Sequence, residues 1–425
     1  MVLPDNPPQG RAEIKRFVLE ELPATGPPPR GAAGLARARR FFERAGNPQH
    51  AARQIHIVGT AGKGTAVGAT VARLVGAGAR VGAHLSPHVY DLRERFLFNG
   101  QLPSWGDVDA AMIELWPALQ ATTSQEGHPP SFFELTTALA WTIGRRGGAD
   151  YIVTEAGIGG QYDATNAIDR SDKITVIMPI GYDHLEILGN DLESIARNKA
   201  DVIPRGGLVV MAPQIHQTAA AVVRHVCLDR EAHLVEVAAA PSWQRQAGLV
   251  ADVVLQRLDD PTLDRAGSIA PVHLPGRMEM VAIGGRQIIL DGADNPMKLR
   301  GVQEALEATE PTVLVAALSH EKQLEACAAE LVGIADVIIA SDFEVLAGDR
   351  EVLAGDRVVR RSWSAVGLAR ALKATRPEVE VHVVSSIERA VASAVEITKD
   401  GETIVATGSF MMLDPVRTAA RASLG

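Results

Sequence analysis

The chain has 425 residues, enough for two or three domains that each bury a core of their own. Apolar residues make up 46% and charged residues 22% of the sequence, as in ordinary globular proteins. The net charge of -9 argues against a general nucleic-acid binder, because affinity for a phosphate backbone requires clustered Lys and Arg.

The composition also predicts the compartment. The polar, Pro-rich segment Met1–Gly10 lacks the features of a signal peptide, and no run of about 20 apolar residues could span a membrane. Cys227 and Cys327 lie far apart without metal-type spacing, so no disulfide framework is expected and both are predicted to be small buried residues. We therefore expect a cytoplasmic protein that binds neither nucleic acid nor membrane. A monomer is our expectation for its oligomeric state.

The first part of the chain alternates between helical and strand patterns, after a loose lead-in over residues 1–30 with one short helix. The predicted elements are, in order, helix Leu35–Ala45, strand Ile55–Val58, helix Lys63–Val75, strand Arg80–Ala83, helix Phe132–Arg145, strands Tyr151–Thr154 and Ile174–Ile180, helix Leu192–Ile203 and strand Leu208–Met211. Strands separated by helices indicate βαβ units, and continuously apolar strands indicate a mainly parallel sheet covered on both faces.

A second α/β block is predicted from about Pro275, beginning with a hairpin around Gly284-Gly285. Its predicted elements are strands Met278–Ile283 and Gln287–Leu290, helix Met297–Ala308, strand Thr312–Ala317, helix Glu321–Leu331, strand Val337–Ala340, helix Val366–Ala374, strand Val379–Val384, helix Ile387–Thr398 and strand Thr403–Ala406. Residues 240–274 have weak periodicity and are predicted to connect the blocks. The tandem copies 345–350 and 352–357 are predicted to form a loop with a local duplication.

These elements predict an α/β protein of two domains. Residues 1–272 would form an N-terminal domain with a mainly parallel sheet, and the Gly-rich segment 59–65 between its first strand and the following helix predicts a P-loop ATPase domain. Residues 273–425 would form a smaller, Rossmann-like α/β domain at the C-terminal end.

Residues 59–65, Gly-Thr-Ala-Gly-Lys-Gly-Thr, lie between a predicted strand and a predicted helix, which is the context of a phosphate-binding loop. The backbone of Gly59, Thr60, Gly62 and Gly64 would approach the phosphates at the helix N-terminus. Lys63 would reach the terminal phosphates, and the Thr65 hydroxyl would bind Mg²⁺. The glycine between Lys63 and Thr65 departs from the common spacing, so a Gly-rich turn with a surface lysine is the simpler alternative.

Seven further segments occur in an order that one family shares. They are His84-Leu85-Ser86-Pro87-His88 with Glu94-Arg95, residues 155–160 with Asp163-Ala164-Thr165-Asn166, Asp183-His184, residues 195–200, Pro275-Gly276-Arg277, Asp291-Gly292-Ala293 with Asn295-Pro296, and Thr407-Gly408-Ser409. Over about residues 34–415 the chain resembles the folylpolyglutamate synthase and dihydrofolate synthase branch of the Mur ligase superfamily.

The resemblance implies roles for these residues. The implied catalytic residues are Lys63, Glu155, His184 and Lys199; the implied ligands of one or two Mg²⁺ ions are Thr65, Ser86, Glu155 and His184. Arg277, Asp291 and Asn295 of the second domain are implied to contact ATP. The implied substrate residues are Ser86, His88, Arg95, Asp163, Thr165, Asn166 and Ser409. Lys199 is implied to be carbamoylated, giving an anion that supports the metal and an acyl phosphate.

The implied reaction is chemically reasonable by itself. A carboxylate is a poor acyl donor, because hydroxide is a poor leaving group. Transfer of the γ-phosphoryl group of ATP makes an acyl phosphate, from which an amine displaces phosphate, while Mg²⁺ and Lys neutralise the crowded oxyanions. The expected partners are therefore a carboxylic acid, folate-like or other, and an amino acid or amine.

Four departures from the family pattern matter. Asp294 replaces a histidine near the phosphates, where a carboxylate would repel an anion. Gln161 and Ala61 replace an arginine and an asparagine, and Met411 lies where a tyrosine that helps to bind glutamate is expected. The helix start His-Gln-x-x-Asn-Ala, whose asparagine meets adenine, is not found between residues 212 and 274.

Simpler readings of single residues remain open. Glu155 could end a strand in a salt bridge, His184 could be a loop histidine and Lys199 a surface lysine on a helix; Ser86 and Asp291 could be turn formers. For the whole chain, three hypotheses stay open: a folate ligase, a ligase of the same architecture for another acid and amine, and a nucleotide-binding homologue that has lost ligation. A dinucleotide enzyme is disfavoured, because residues 157–160 lack the Gly-x-Gly-x-x-Gly spacing.

Overall fold

The computed structural model describes residues 3–23, 30–267, 269–283, 285–306, 312–345 and 360–422. The chain forms two units, with the boundary between His273 and Leu274. Each unit contains a mainly parallel sheet flanked by helices, which confirms the predicted α/β fold class. The predicted duplication over residues 345–357 lies almost entirely outside the described residues, as does Gly284 of the predicted hairpin.

The first unit is built on a seven-stranded sheet. Its strands are β1 (Arg53–Val58), β2 (Val81–His84), β3 (Phe96–Phe98), β4 (Tyr151–Glu155), β5 (Ile174–Ile177), β6 (Leu208–Met211) and β7 (His233–Glu236). Its helices are α1 (Gly10–Arg16), α2 (Gly31–Arg44), α3 (Lys63–Gly76), α4 (Trp105–Glu126), α5 (Phe132–Arg146), α6 (Leu185–Leu188), α7 (Leu192–Ala200), α8 (Gln217–Asp229) and α9 (Trp243–Arg257). The strand order is β3-β2-β4-β1-β5-β6-β7, and only the β2–β3 pair is antiparallel among these neighbours. β1 therefore lies between β4 and β5, and the loops after these three strands meet at one edge.

Local chemistry explains where the long helices of this unit begin. Ser104 and Ser131 form capping boxes with Asp107 and Glu134 at the starts of α4 and α5. Both carboxylate oxygens of Glu134 also accept hydrogen bonds from the buried Arg37 guanidinium, each at 2.7 Å. An ion pair inside the core therefore links α2 and α5.

The lead-in is more ordered than predicted over residues 10–22. α1 continues into a π-helical turn, Phe17–Glu21, and Ile14, Phe17, Val18 and Leu19 are buried. The Phe17 ring packs edge-on against Trp116 of α4, with ring centroids 5.2 Å apart. The one short helix predicted in the lead-in is therefore confirmed, and its packing through an apolar face was concealed by the surrounding Pro and Gly content.

The expected connection over residues 240–274 is also wrong for its first half. Helix α9 packs along α3, and it buries Ala247, Val250, Ala251 and Val254. These positions have the 3, 4 and 7 spacing of one helical face, which the surrounding polar residues had obscured. α4, which contains Pro117, was not predicted either.

The second unit is built on a six-stranded sheet. Its strands are β8 (Glu279–Ile283), β9 (Arg286–Leu290), β10 (Val313–Ala316), β11 (Val337–Ala340), β14 (Glu380–Val383) and β15 (Thr403–Thr407), and β12 (Glu344–Val345) and β13 (Arg360–Arg361) form a separate ribbon. Its helices are α10 (Pro296–Leu306), α11 (Leu324–Leu331), α12 (Ala365–Thr375), α13 (Ile387–Ile397) and α14 (Leu413–Ala422). The order is β14-β11-β10-β15-β9-β8, and the predicted hairpin β8–β9 is its antiparallel edge.

Candidate active site

The phosphate loop has the geometry that its glycines predict. Gly62 caps α3 with a φ of 77°, and a side chain there would meet the ring of Trp243 at 2.9 Å. A Cβ on Gly59 would lie 2.7 Å from Met178. The loop is fixed to the segment after β5, because the Thr60 amide donates to the carbonyl of Pro179 at 2.8 Å. The amide end of α3 is thus presented as an anion site.

Two lysines converge on this loop. The Nζ atoms of Lys63 and Lys199 both donate to the Gly59 carbonyl, at 3.1 and 3.0 Å. Lys199 is 4% exposed, although it lies on α7, 140 residues from Gly59 in sequence. The surface-lysine alternative is therefore wrong for Lys199. An amine so placed lies beside the phosphate loop and within a region of low dielectric constant.

Ser86 and Glu155 also lie together. The Ser86 amide donates to Oε2 of Glu155 at 3.1 Å, and Glu155 is 4% exposed at the end of β4. Glu155 pairs in register with Ile57 of β1, so its carboxylate lies at the same sheet edge as the phosphate loop. A serine hydroxyl and a carboxylate are hard oxygen donors of the kind that Mg²⁺ prefers.

The loop after Glu155, at the end of β4, packs against α7, the helix that carries Lys199. Gly160 lies so close to α7 that a Cβ would be 2.8 and 2.9 Å from the carbonyl oxygens of Asn198 and Lys199. The Gln161 amide donates to the Asn198 carbonyl at 2.8 Å. Gln161, which replaces the family's arginine, thus contributes its backbone to this contact.

His184 begins the short helix α6 in the left-handed conformation, with φ of 51°. Its ring nitrogens lie 3.9 Å from a carboxylate oxygen of Asp183 and of Glu186, and its side chain is 33% exposed. The imidazole is therefore accessible in the loop after β5, and its role as a metal ligand stays a prediction.

Several predicted substrate residues form a buried cluster around β2. His88 accepts a hydrogen bond from Nε of Arg95 at 2.6 Å, and the Arg95 guanidinium lies 4.8 Å from the centre of the Phe132 ring. Burial holds the pKa of His88 well below its usual value, and Arg95 lowers it further. His84 packs edge-on against Phe133 at 5.4 Å, and burial lowers the pKa of its imidazole to about 3. Both histidines are therefore neutral near pH 7.

Asp163, Thr165 and Asn166 lie in the turn that follows residues 155–161. Asp163 caps the turn Ala164–Ala167 by accepting from the Thr165 amide at 2.9 Å. Asn166 donates to the Gln161 carbonyl at 3.0 Å. Burial raises the pKa of the Asp163 carboxyl, against the lowering effect of its hydrogen bonds. These three side chains organise the loop, and their contact with a substrate stays a prediction.

In the second unit, the predicted residues lie at the carboxyl ends of β9 and β15. Asp291 accepts hydrogen bonds from the Met278 and Ala293 amides, both at 2.9 Å, and burial raises the pKa of its carboxyl to about 6. The Arg277 guanidinium lies 5.5 Å from the centre of the Phe410 ring. Asn295 is 3% exposed and accepts from the Lys298 amide at 2.9 Å, so it caps the start of α10.

Asp294 does not leave an uncompensated negative charge at this edge. Its two oxygens lie 2.7 Å from the Lys298 ammonium and 3.0 Å from the Lys322 ammonium. Lys322 is in the loop before α11, which begins at Leu324 rather than at the predicted Glu321. Two lysines therefore flank the carboxylate that replaces the family's histidine, and the expected repulsion of an anion is offset.

The loop that carries Lys322 contacts the loop after β15. The Ser319 and Ser409 hydroxyls are buried and lie 3.1 Å apart, and Ser409 accepts from the Met411 amide at 3.2 Å. His320 stacks on Trp363 with ring centroids 4.3 Å apart. Ser319, His320 and Lys322 were not predicted, because their contacts with Ser409, Trp363 and Asp294, respectively, form only in the folded unit.

Helix α9 lies in the region where the helix start His-Gln-x-x-Asn-Ala was sought. With Gln246 at the asparagine position the chain reads Ser242-Trp243-Gln244-Arg245-Gln246-Ala247, which matches the pattern only at Ala247. The Gln246 side-chain amide is bonded to the backbone of Ala238 and Ala240 at 3.1 and 2.8 Å. The departure from the family pattern at this helix therefore stands.

The donor set fits a magnesium–nucleotide complex better than a protein-only metal centre. Within the described ranges, no three His, Cys, Asp or Glu side chains are grouped closely enough to hold a metal ion. Mg²⁺ is commonly bound by one or two protein groups together with substrate phosphates and water, and Ser86 with Glu155 beside the loop provides such a partial set.

None of the helices in the described part of the chain has the length and apolar character to cross a membrane.

Comparison with known proteins adds independent findings. Residues 276–410 match the family model described as "Mur ligase, glutamate ligase domain". The chain is 34% identical over 193 residues to the dihydrofolate synthase/folylpolyglutamate synthase of Bacillus subtilis, an alignment covering 45% of this chain and 44% of that relative. It is 28% identical to the folylpolyglutamate synthase of Lacticaseibacillus casei, over 67% of this chain and 76% of the relative.

A solved structure extends the likeness over nearly the whole chain. A bifunctional folylpolyglutamate synthase/dihydrofolate synthase with Mn, AMPPNP and L-glutamate bound superposes with a TM-score of 0.76 at 26% identity. The match covers 95% of this chain and 96% of the other. Both units of the fold therefore have counterparts in that protein.

Proposed function

We propose that this chain is a member of the Mur ligase family, related to the folylpolyglutamate and dihydrofolate synthases, and that it is a cytoplasmic ATP-dependent ligase. It would join an amino acid, glutamate in the first instance, to the carboxyl group of a folate-like acid through an acyl phosphate. The relatives carry those activities in their names, and the proposal extends them to this chain.

One observation carries the proposal: Lys63 and Lys199 share the Gly59 carbonyl, beside the edge where Glu155 meets Ser86. A phosphoryl group transferred to a carboxylate brings together several oxyanions. The Lys63 ammonium and a Mg²⁺ ion held by Ser86 and Glu155 would supply the charge neutralisation that such a transfer requires, and Lys199 lies close enough to support that ion once it is carbamoylated.

The residues divide the work as follows. The α3 amides and Lys63 bind the phosphates of ATP and orient the γ-phosphoryl group toward the acid. Ser86 and Glu155, with Thr65 and His184, would hold Mg²⁺, which neutralises phosphate charge when bound. Lys199, in its carbamoylated form, would add a carboxylate-like group at the Gly59 end of the loop. A mass increase on Lys199 matching a carbamate would support this modification.

The first test measures ADP release by the purified protein with Mg²⁺ and ATP, a pteroate or dihydropteroate, and glutamate. We expect release to require both the acid and the amine, and a product whose mass is their sum less water.

Lys63→Ala should lower kcat/KM by about 100-fold or more, because it removes a charge that stabilises the transferring phosphoryl group. The exposed Lys399→Ala is the matched control. ADP release that ignores every pteroate in the presence of glutamate would remove the folate assignment.

A ligase for another acid and amine is the second candidate. It is favoured by the Lys298–Asp294–Lys322 arrangement, in which Asp294 replaces a family histidine near the phosphates, and by Met411 in place of a tyrosine that helps to bind glutamate. A panel of carboxylic acids and amines, scored by ADP release, distinguishes the two candidates. Saturable release with a non-pteroate acid, at higher kcat/KM than with any pteroate, would decide for the second.

A further inference from the structure

A buried chain of hydrogen bonds leads from the centre of the first sheet to the loop after Glu155. Nε2 of His56, on β1, lies 2.8 Å from the Thr165 hydroxyl. That hydroxyl in turn bonds to Oδ1 of Asp163. His56 and Thr165 are 0% exposed and Asp163 is 8% exposed, so water has little access to these bonds.

The direction of each bond follows from the donors and acceptors. Asp163 uses its oxygens as acceptors, from the Thr165 amide and from the Ile158 amide, both at 2.9 Å. The Thr165 hydroxyl therefore gives its hydrogen to Asp163, and its oxygen must accept from His56. His56 is consequently the tautomer with hydrogen on Nε2. Burial keeps its imidazole neutral by holding the pKa well below the usual value.

The far end of the chain is the loop that the proposed reaction uses. The Asp163 carboxylate accepts hydrogen bonds from the amides of Ile158 and Gly157. These two residues directly follow Glu155 and its neighbour Ala156. Beyond them, Gly159 and Gly160 pack against Asn198 and Lys199 of α7. A carboxylate held by Thr165 and His56 thus fixes the backbone between the carboxylate of Glu155 and the amine of Lys199.

We propose that His56 is a positioning residue of the reaction: through Thr165 and Asp163 it holds the loop 157–160 and thereby orients Glu155 and Lys199. We call the hydrogen-bonded chain His56–Thr165–Asp163 the relay. Its role in catalysis rests on the proposed function, whereas its effect on the loop 157–160 does not. A side chain that only filled the core would be replaceable by any apolar group of similar size.

The test uses two His56 variants of similar length in the full chain. Gln retains an N–H at the reach of Nε2, and Met removes it. Hydrogen exchange of the Gly157 and Ile158 amides reads the loop without any need for ligation. We expect His56→Met to speed exchange at these amides by about tenfold or more, as loss of a buried hydrogen bond commonly does, and His56→Gln to stay within about threefold of the parent.

The second measurement is the Mg²⁺ concentration that gives half-maximal ADP release. We expect His56→Met to raise it by about tenfold, with a smaller change in KM for the amine, and His56→Gln to restore it. In the double variant Thr165→Val with His56→Met, the required Mg²⁺ concentration should be little higher than in either single variant. Both substitutions interrupt the same chain of hydrogen bonds, so their effects should not add.

Equal exchange in the Met and Gln variants would overturn the relay, even if Met lowers thermal stability. Additive effects of Thr165→Val and His56→Met would overturn it too. If only the Mg²⁺ requirement stays unchanged while exchange speeds up, the catalytic part of the proposal is wrong. A parent protein without ADP release would instead remove the proposed function, and the exchange comparison would still decide the relay.

Discussion

At the scale of single residues, the candidate site combines exposed groups with buried charges that have specific partners. Asp294 is an example, because its carboxylate lies between two ammonium groups and the three side chains are only 10 to 26% exposed. Ion pairs with such restricted solvent contribute more than exposed pairs, and loss of one member leaves the others less well compensated.

We therefore expect Asp294→Ala to lower the free energy of unfolding of the second unit by about 1–3 kcal/mol. Asp336→Ala is the matched control, because that carboxylate pairs with Arg376 but is 96% exposed. Its effect should be within about 0.5 kcal/mol of zero. Urea titration followed by Trp fluorescence measures the free energy of unfolding of both variants. Equal losses would contradict the view that the Asp294 ion pairs stabilise the unit more than the Asp336–Arg376 pair does.

At the scale of helices, strands and loops, the contact of residues 157–161 with α7 matters most. Gly160→Ala would place a Cβ 2.8 to 3.0 Å from backbone atoms of Asn198 and Lys199, so the loop or the helix must move. We expect ADP release to fall by about tenfold or more, since shifts of about 1 Å in a reacting geometry are costly.

The control is Gly248→Ala on α9, where a Cβ would meet no atom within 4 Å. There the change should leave ADP release intact and raise helix stability by up to about 1 kcal/mol. If both variants keep full activity, the close packing of Gly160 has no part in orienting Lys199.

Sequence patterns predicted those elements whose signals are local. α3 and the β8–β9 hairpin follow from glycines and periodicity, and their predicted bounds are within one or two residues of those observed. α9 was missed because the charged and amide residues between its apolar positions weaken the periodicity. The pairing of Asp294 with Lys322 could not be predicted, because it joins residues 28 apart across two loops.

The site shows the same division. The glycines, Lys63 and Glu155 could be recognised from a strand, a turn and a helix in sequence, whereas the burial of Lys199 against Gly59 depends on how α7 packs. His56 gave no signal, because a histidine within an apolar strand has no local feature that distinguishes it from a core residue.

At the scale of the whole molecule, each unit has its own sheet and its own apolar core. We expect calorimetry to resolve two unfolding transitions, of which the one for the first unit shifts with Mg²⁺ and ATP. At about 100 times the dissociation constant the ligand would add about 2.7 kcal/mol to the stability of the unit that binds it. Lys63→Ala should remove most of the shift, and a shift of equal size in that variant would contradict binding at the phosphate loop.

The indole of Trp243 lies against Gly62, at the point where the phosphate loop turns into α3. Indole emission responds to nearby charge and to hydration, so this side chain is a natural optical probe of the loop. Its signal would follow nucleotide arrival without a label and on the timescale of a stopped-flow experiment, which would allow binding to be timed separately from bond formation.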